Sequence, residues 1–157
     1  MQIILLQIDK TQDRYIAEGI EVYAKRLKNY VNFAIHTINV PKTVRQRSFN
    51  EQKNEEGKLL LHFLSGDDIL VLLDEKGKEY SSMEFSNFIS QKQNASTKRL
   101  IFLIGGPFGF STQIYERANA KVSLSKMTFS HQMVRLFFTE QLYRAYTILK
   151  GEKYHHE

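Results

Sequence analysis

Two periods of apolar residues run through the chain. Gln2 to Asp9, Asp68 to Asp74 (DILVLLD) and Arg99 to Ile104 (RLIFLI) are nearly unbroken apolar runs, the pattern of strands buried on both faces of a parallel sheet. Phe33 to Val40 alternates and stops at Pro41, which predicts a further strand, and Lys121 to Ser125 (KVSLS) predicts a short one. Between these runs the spacing changes to three and four. Ile16, Ile20, Tyr23 and Leu27 mark one face of a helix within Asp13 to Tyr30, and a second helix from about Glu51 to Leu64 closes on Leu60, Leu61, Phe63 and Leu64.

Local signals place the breaks. Ser65-Gly66-Asp67 and Glu75-Lys76-Gly77-Lys78 read as turns. Ser81 and Glu84 stand at capping-box spacing before a helix that carries Met83, Phe85, Phe88 and Ile89. Ser111 caps a short helix to Asn119, and a long helix runs from Ser130 or His131 to Lys150, ended by Gly151. Lys42 to Asn54 is polar and basic with few apolar anchors, and reads as the most mobile segment. The last helix has one stripe of Val134, Phe137, Phe138, Leu142, Ala145 and Leu149 and a second of Met133, Leu136 and Tyr143. A helix apolar on two sides is buried on two sides, and in a small chain the second side is expected to meet another subunit.

Strands alternating with helices predict a single α/β domain over residues 1–157 with a mainly parallel sheet. Ligands of such sheets sit beyond the carboxyl ends of the strands, so Leu73-Asp74, Ile104-Gly105-Gly106 and Leu124-Ser125-Lys126 are expected to converge. Composition narrows the chemistry. With no cysteine there is no disulfide or thiolate chemistry, and the nine-residue opening MQIILLQID is too short to cross a bilayer and lacks a basic leader. A cytoplasmic protein with no membrane association is expected. The net charge of +5 favours a polyanionic partner such as nucleic acid.

Three segments hold candidate chemistry. LIGGPFGF (Leu103 to Phe110) puts glycines directly after a buried strand, in neither the dinucleotide nor the phosphate-loop spacing; it suits a binding loop or a tight turn equally. SLSKMTFSHQMVR (Ser123 to Arg135) is a polar strand end that reads either as a site or as a solvated loop with an N-cap. The tail GEKYHHE is a frayed end, or an aromatic beside titratable histidines able to stack on a splayed base. There is no nucleophile elbow and no helical metal pair, so hydrolysis and metal binding have no support.

Taken together, DILVLLDEKGK, LIFLIGGPFGF, SLSKMTFSHQMVRLFFTEQLYRAY and GEKYHHE, in this order and in a chain of 157 residues, resemble the RlmH family, the pseudouridine N3-methyltransferases of 23S ribosomal RNA. The resemblance spans the whole chain. It implies a SPOUT-type α/β knot, with a C-terminal trefoil threading. It also implies a bent S-adenosyl-L-methionine held by Leu73, Gly105, Gly106, Leu124, Ser125, Lys126, Met127, Thr128 and Phe129. By the same resemblance Arg144, Tyr154 and His155 are catalytic candidates, the protein is a homodimer with one subunit's tail near the other's cofactor, and the partner is 23S rRNA in the ribosome; the chemistry of methylating an imide nitrogen needs no metal and adds Arg135 as a cation able to stabilise the resulting anion. Two positions depart from the family pattern: Ser130 stands where proline is common, and His156 where a permanent cation is common. Two other readings stay open, a SPOUT enzyme acting on another RNA such as tRNA, and a non-catalytic ribosome-associated RNA-binding protein.

Overall fold

The structure is a computed structural model that describes residues 1–156; Glu157, the last residue of the quoted tail, lies outside the described residues. The elements in chain order are β1 (Gln2–Ile8), α1 (Arg14–Leu27), β2 (Asn32–Ile38), α2 (Lys42–Arg45), α3 (Phe49–Phe63), β3 (Ile69–Glu79), α4 (Ser82–Asn94), β4 (Arg99–Ile104), α5 (Thr112–Arg117), β5 (Ala120–Ser123) and α6 (His131–Leu149). The strands form one sheet in the order β2-β1-β4-β3-β5, with parallel pairing throughout.

The unbroken apolar runs are explained by helices on both faces. Alternate residues of β1, β3 and β4 turn to opposite sides: Ile3, Leu5, Val71, Phe102 and Ile104 pack with residues of α1, α4 and α6, including Leu27, Phe88, Ile89, Phe138 and Leu142. Ile4, Leu6, Leu72, Ile101 and Leu103 pack with Val44 of α2, Leu60 of α3 and Ile114 of α5. Among the described residues no helix is long and apolar enough to cross a membrane.

Three expectations change. Residues 42–54, read from the sequence as polar with few apolar anchors, hold α2 and the first turns of α3. The Ser48 hydroxyl accepts from the Glu51 backbone N–H, while the Glu51 carboxylate accepts from the Ser48 N–H at 3.1 Å, a capping box that starts α3 two residues earlier than the apolar pattern indicates. The second apolar stripe of α6 is half-buried, and two of its residues are partnered within the chain. Leu136 lies against Gly19 of α1, and Tyr143 packs on Tyr23 and Tyr30, so this stripe gives no independent sign of a second subunit.

The third change concerns β3. The segment Glu75 to Lys78 does not end the strand, which bulges there instead. Leu73 and Lys78 both face Val122 of β5, so the residues between them loop away before pairing resumes at Lys78 and continues with Glu79 and Ser123. Gly77 permits this. A Cβ there would lie 2.7 Å from backbone atoms of Lys121 and Val122, which cannot yield as a side chain can. Gly77→Ala is therefore expected to force β3 and β5 apart and to destabilise the fold by roughly 1–3 kcal/mol. Denaturant unfolding measures this directly, and a variant as stable as the parent would contradict the close approach.

Candidate functional site

The carboxyl ends of β3, β4 and β5 surround a cavity of about 470 Å³. Its walls come from Leu73 to Lys76, from the loop after β4 (Gly105, Gly106, Pro107, Gly109 and Phe110), and from the segment between β5 and α6, with His131 and Val134 of α6 closing one side. The glycines of the β4 loop each answer a local demand. Gly109 has φ +76°, a left-handed conformation that glycine adopts without strain, and its N–H donates to the Gly106 carbonyl at 3.1 Å to make a tight reversal. A Cβ on Gly105 would come within 3.0 Å of the Phe110 ring, and one on Gly106 within 2.7 Å of the Glu56 carboxylate.

The segment from Leu124 to Ser130 is held by its own polar groups. The Ser123 hydroxyl donates to the Ser125 carbonyl at 2.8 Å, and the Met127 N–H donates to the Ser125 hydroxyl at 2.9 Å. The Thr128 hydroxyl donates to the Glu75 carboxylate at 2.5 Å, tying this segment to the β3 bulge across the cavity mouth. The Ser130 hydroxyl accepts from the Met133 N–H and so caps α6.

Asp74 is the carboxylate of the cavity wall. It accepts from the Lys76 N–H at 2.8 Å and from the Tyr115 hydroxyl at 2.7 Å. Partial burial and then this hydrogen bond push the Tyr115 phenol up to about 12, so it stays a donor near neutral pH. An ionised carboxylate offers about four lone-pair sites, so Asp74 retains acceptor capacity toward the cavity. Glu75 adds a second acid. The cavity is thus suited to a ligand with cationic or hydroxyl character. Among the described residues no group of three or more His, Asp or Glu side chains is gathered to hold a metal.

A second constellation forms at the far end of α6. Gly151 takes φ +67°, and the Glu152 N–H donates back to the Thr147 carbonyl at 2.9 Å, which folds the tail onto the helix instead of leaving it frayed. The Glu140 carboxylate accepts from Arg144 at 2.6 Å and from the Tyr154 hydroxyl at 3.0 Å. The Arg144 guanidinium lies over the Tyr154 ring at 4.7 Å, with one nitrogen 3.4 Å from Nδ1 of His155. Arg144 stands 13 residues beyond His131, about 20 Å along a helix that rises 1.5 Å per residue.

The family profile described as "Predicted SPOUT methyltransferase" matches residues 1–155. The chain belongs to the SPOUT methyltransferase family. Among curated relatives, a Christiangramia forsetii protein is 53% identical over 156 residues, covering 99% of each chain. A Cytophaga hutchinsonii protein is 54% identical over 156 residues, covering 99% of this chain and 100% of the relative, and a Flavobacterium johnsoniae protein is 52% identical over 157 residues, covering 100% of both. All three carry the name Ribosomal RNA large subunit methyltransferase H.

In this SPOUT methyltransferase the residues expected at the cofactor separate cleanly. Leu73, Gly105, Gly106, Leu124, Ser125, Met127, Thr128 and Phe129 line the cavity. Lys126 does not: its side chain is 87% exposed and its ammonium is 3.9 Å from Glu79. Arg144, Tyr154 and His155 come together, but at the other end of α6. Arg135 joins neither group. It is buried, donating to the Ile8 carbonyl at 2.8 Å and the Thr11 hydroxyl at 3.0 Å. Of the other wall residues, Asp74 was expected at the converging strand ends and His131 lies in the candidate segment from Ser123 to Arg135, whereas nothing local in the sequence marks Tyr115.

His131 is exposed as a residue, yet its ring loses water on one side. That desolvation, together with the Arg135 charge, holds its pKa below the usual 6.5 and outweighs the opposing pull of Asp9. The unfolded chain therefore takes up the proton first on acidification. The corresponding stability is intact above about pH 6.5 and is lost as the pH falls from there toward the folded value. His131→Gln should flatten this part of a stability-against-pH profile measured by urea unfolding, and NMR titration should place the His131 midpoint below that of a free histidine.

Proposed function

We propose that this chain is an S-adenosyl-L-methionine-dependent methyltransferase that methylates N3 of a pseudouridine in 23S rRNA, acting as a homodimer on the large subunit or the assembled ribosome in the cytoplasm. The observation that carries this reading is the match, at about half identity over the full chain, to proteins named for methylation of large-subunit ribosomal RNA. The trefoil threading of the C-terminal part belongs to the same reading.

The cavity fits the methyl donor. Its volume of about 470 Å³ lies within the ordinary range for small-molecule sites, roughly 300–1,000 Å³. Gly105 and Gly106 leave the loop free of side chains, and Asp74 can accept from an ammonium or from hydroxyls. When bound, S-adenosyl-L-methionine supplies an electrophilic methyl on a sulfonium. The protein's part is to hold the acceptor nitrogen in line with it and to stabilise the charge left when the imide loses its proton.

Arg144, Tyr154 and His155 are suited to that task, as a cation, an aromatic donor and a proton acceptor; Glu140 holds Arg144 and Tyr154, and Arg144 in turn meets His155. Arg144 stands about 20 Å along α6 from His131 in the cavity wall of its own chain, and in this reading the three serve a site by reaching the cavity of a second copy. Arg135, buried beneath β1, acts in this reading by positioning α6, and Lys126 by attracting RNA phosphates from outside the cavity.

Methylation assays on intact ribosomes, naked rRNA and tRNA, with nucleoside mass spectrometry of the product, test the proposal. Label on tRNA alone, or ribosome binding without S-adenosyl-L-methionine binding, would overturn it. Gly105→Val should abolish cofactor binding in calorimetry. It should also cost roughly 1–3 kcal/mol of stability, because the added side chain pushes on Phe110. Deleting the residues after Glu152 should spare cofactor affinity and lower turnover strongly. Mixing the two variants should restore activity, since one cavity and one tail then meet intact; two inactive variants that stay inactive when mixed would refute the shared site.

A further inference from the structure

The tail is held by more than the helix it follows. Tyr30, just beyond α1, donates its hydroxyl to the Glu152 carboxylate at 2.7 Å, at the root of the tail. That hydrogen bond pushes the Tyr30 phenol up to about 12, so it remains a donor at neutral pH. Tyr23 of α1 places its hydroxyl 3.4 Å from that of Tyr154. Tyr143 fills the space between, with ring centroids 5.9 Å from Tyr23, 5.9 Å from Tyr30 and 4.8 Å from Tyr154. The Arg26 guanidinium covers both Tyr23 and Tyr143 at 5.5 Å.

From this arrangement we infer that Tyr23 and Tyr30 are positioning residues for the reaction: α1 clamps the tail through the Tyr30–Glu152 and Tyr23–Tyr154 contacts and so fixes the direction in which Arg144 and His155 face the target base. The inference rests on the proposed role of the tail. Its physical basis is that a terminal segment left free must be ordered at each encounter with substrate, which subtracts from the interactions available in the transition state. Gly151 sets where the chain leaves α6, and Glu152, the next residue, is caught by Tyr30 before the tail can diverge. Tyr154 is then held from two sides, by Glu140 of α6 and Tyr23 of α1. None of these α1 groups touches the cavity, so they act only through the tail.

The test uses the full-length dimer with Tyr30→Phe, Glu152→Gln, the pair of these, and Tyr23→Phe. Three quantities are measured: turnover on intact ribosomes with both substrates saturating, S-adenosyl-L-methionine affinity, and hydrogen exchange of the amides from Gly151 to His156. Loss of a hydrogen bond to a charged group frees the tail, so each latch variant should lower kcat by about tenfold. Exchange in the tail should quicken, cofactor affinity should stay at the parent value, and the paired variant should be no slower than either single one, as expected for two halves of one contact. Tyr23→Phe keeps the ring packing and should lower kcat alone.

Parent turnover in the latch variants despite faster exchange would overturn the inference, as would unchanged exchange, full additivity of the pair, or a fall in kcat that only tracks the folded fraction at the assay temperature. Failure of the parent protein to methylate ribosomes would instead overturn the proposed function. The exchange measurement then still decides whether α1 holds the tail.

Discussion

Arg135 fixes where α6 lies, and both constellations hang on α6. Its guanidinium is buried between the helix and the end of β1, with hydrogen bonds to the Ile8 carbonyl and the Thr11 hydroxyl and with Nε unpartnered. Burying a cation costs several kcal/mol, and losing one of its partners costs more than the pair contributes, so such a residue specifies a position more than it adds stability. On one side of it, four residues earlier, His131 enters the cavity wall. On the other, Thr139 donates back to the Arg135 carbonyl at 2.6 Å, and Glu140 begins the network that holds the tail. Sliding α6 by one residue along β1 would misplace the wall and the tail together.

The charge distribution suits the two proposed substrates differently. The chain carries a net charge of +5, which suits a polyanion, yet the mouth of the cavity presents Asp74 and Glu75 beside Lys76. The proposed sulfonium donor and an RNA phosphate backbone call for opposite local fields. The β3 bulge supplies the local inversion by placing two acids at the strand end, and the close approach of Gly77 to the β5 backbone is what allows the bulge. Thr128 completes it by joining Glu75 to the opposite wall, so the acids also hold the cavity's shape.

Much of this was legible in the sequence because the determinants are local. The buried strands, the caps at Ser81, Ser111 and Ser130, the end at Gly151 and the loop from Gly105 to Gly109 each follow from a few adjacent residues. The capping box at Ser48 and Glu51 was equally local, but its signal lies in a polar stretch without the apolar period that marks a helix. What could not be read depends on contacts distant in sequence. Gly77 reads as a turn until β5 lies beside it; Tyr143 reads as an unpartnered apolar residue until α1 supplies Tyr23 and Tyr30. For the site, the residues expected at the cofactor lie in the cavity wall with the exception of Lys126, whereas Arg135, Arg144, Tyr154 and His155 lie outside it. Whether Lys126 turned inward depended on a packing that no spacing rule contains.

The distance between cavity and tail bears on why the chain needs so little around it. In the proposed reading a methyl transfer uses the cavity as donor pocket and the Arg144 cluster as base clamp, and one small domain carries the cavity wall at His131 and the Arg144 position about 20 Å apart along a single helix. Bringing them together inside one chain would take a long flexible connection and its entropy of closure. In the proposed dimer the same end is reached by symmetry, since a second copy related by a two-fold axis puts each clamp near the other's pocket. That solution demands that the tail be rigid before the copies and the RNA meet. A folded-back tail anchored by Glu152, Tyr154 and His155, each with a partner in α1 or α6, satisfies this demand, whereas a frayed one would not.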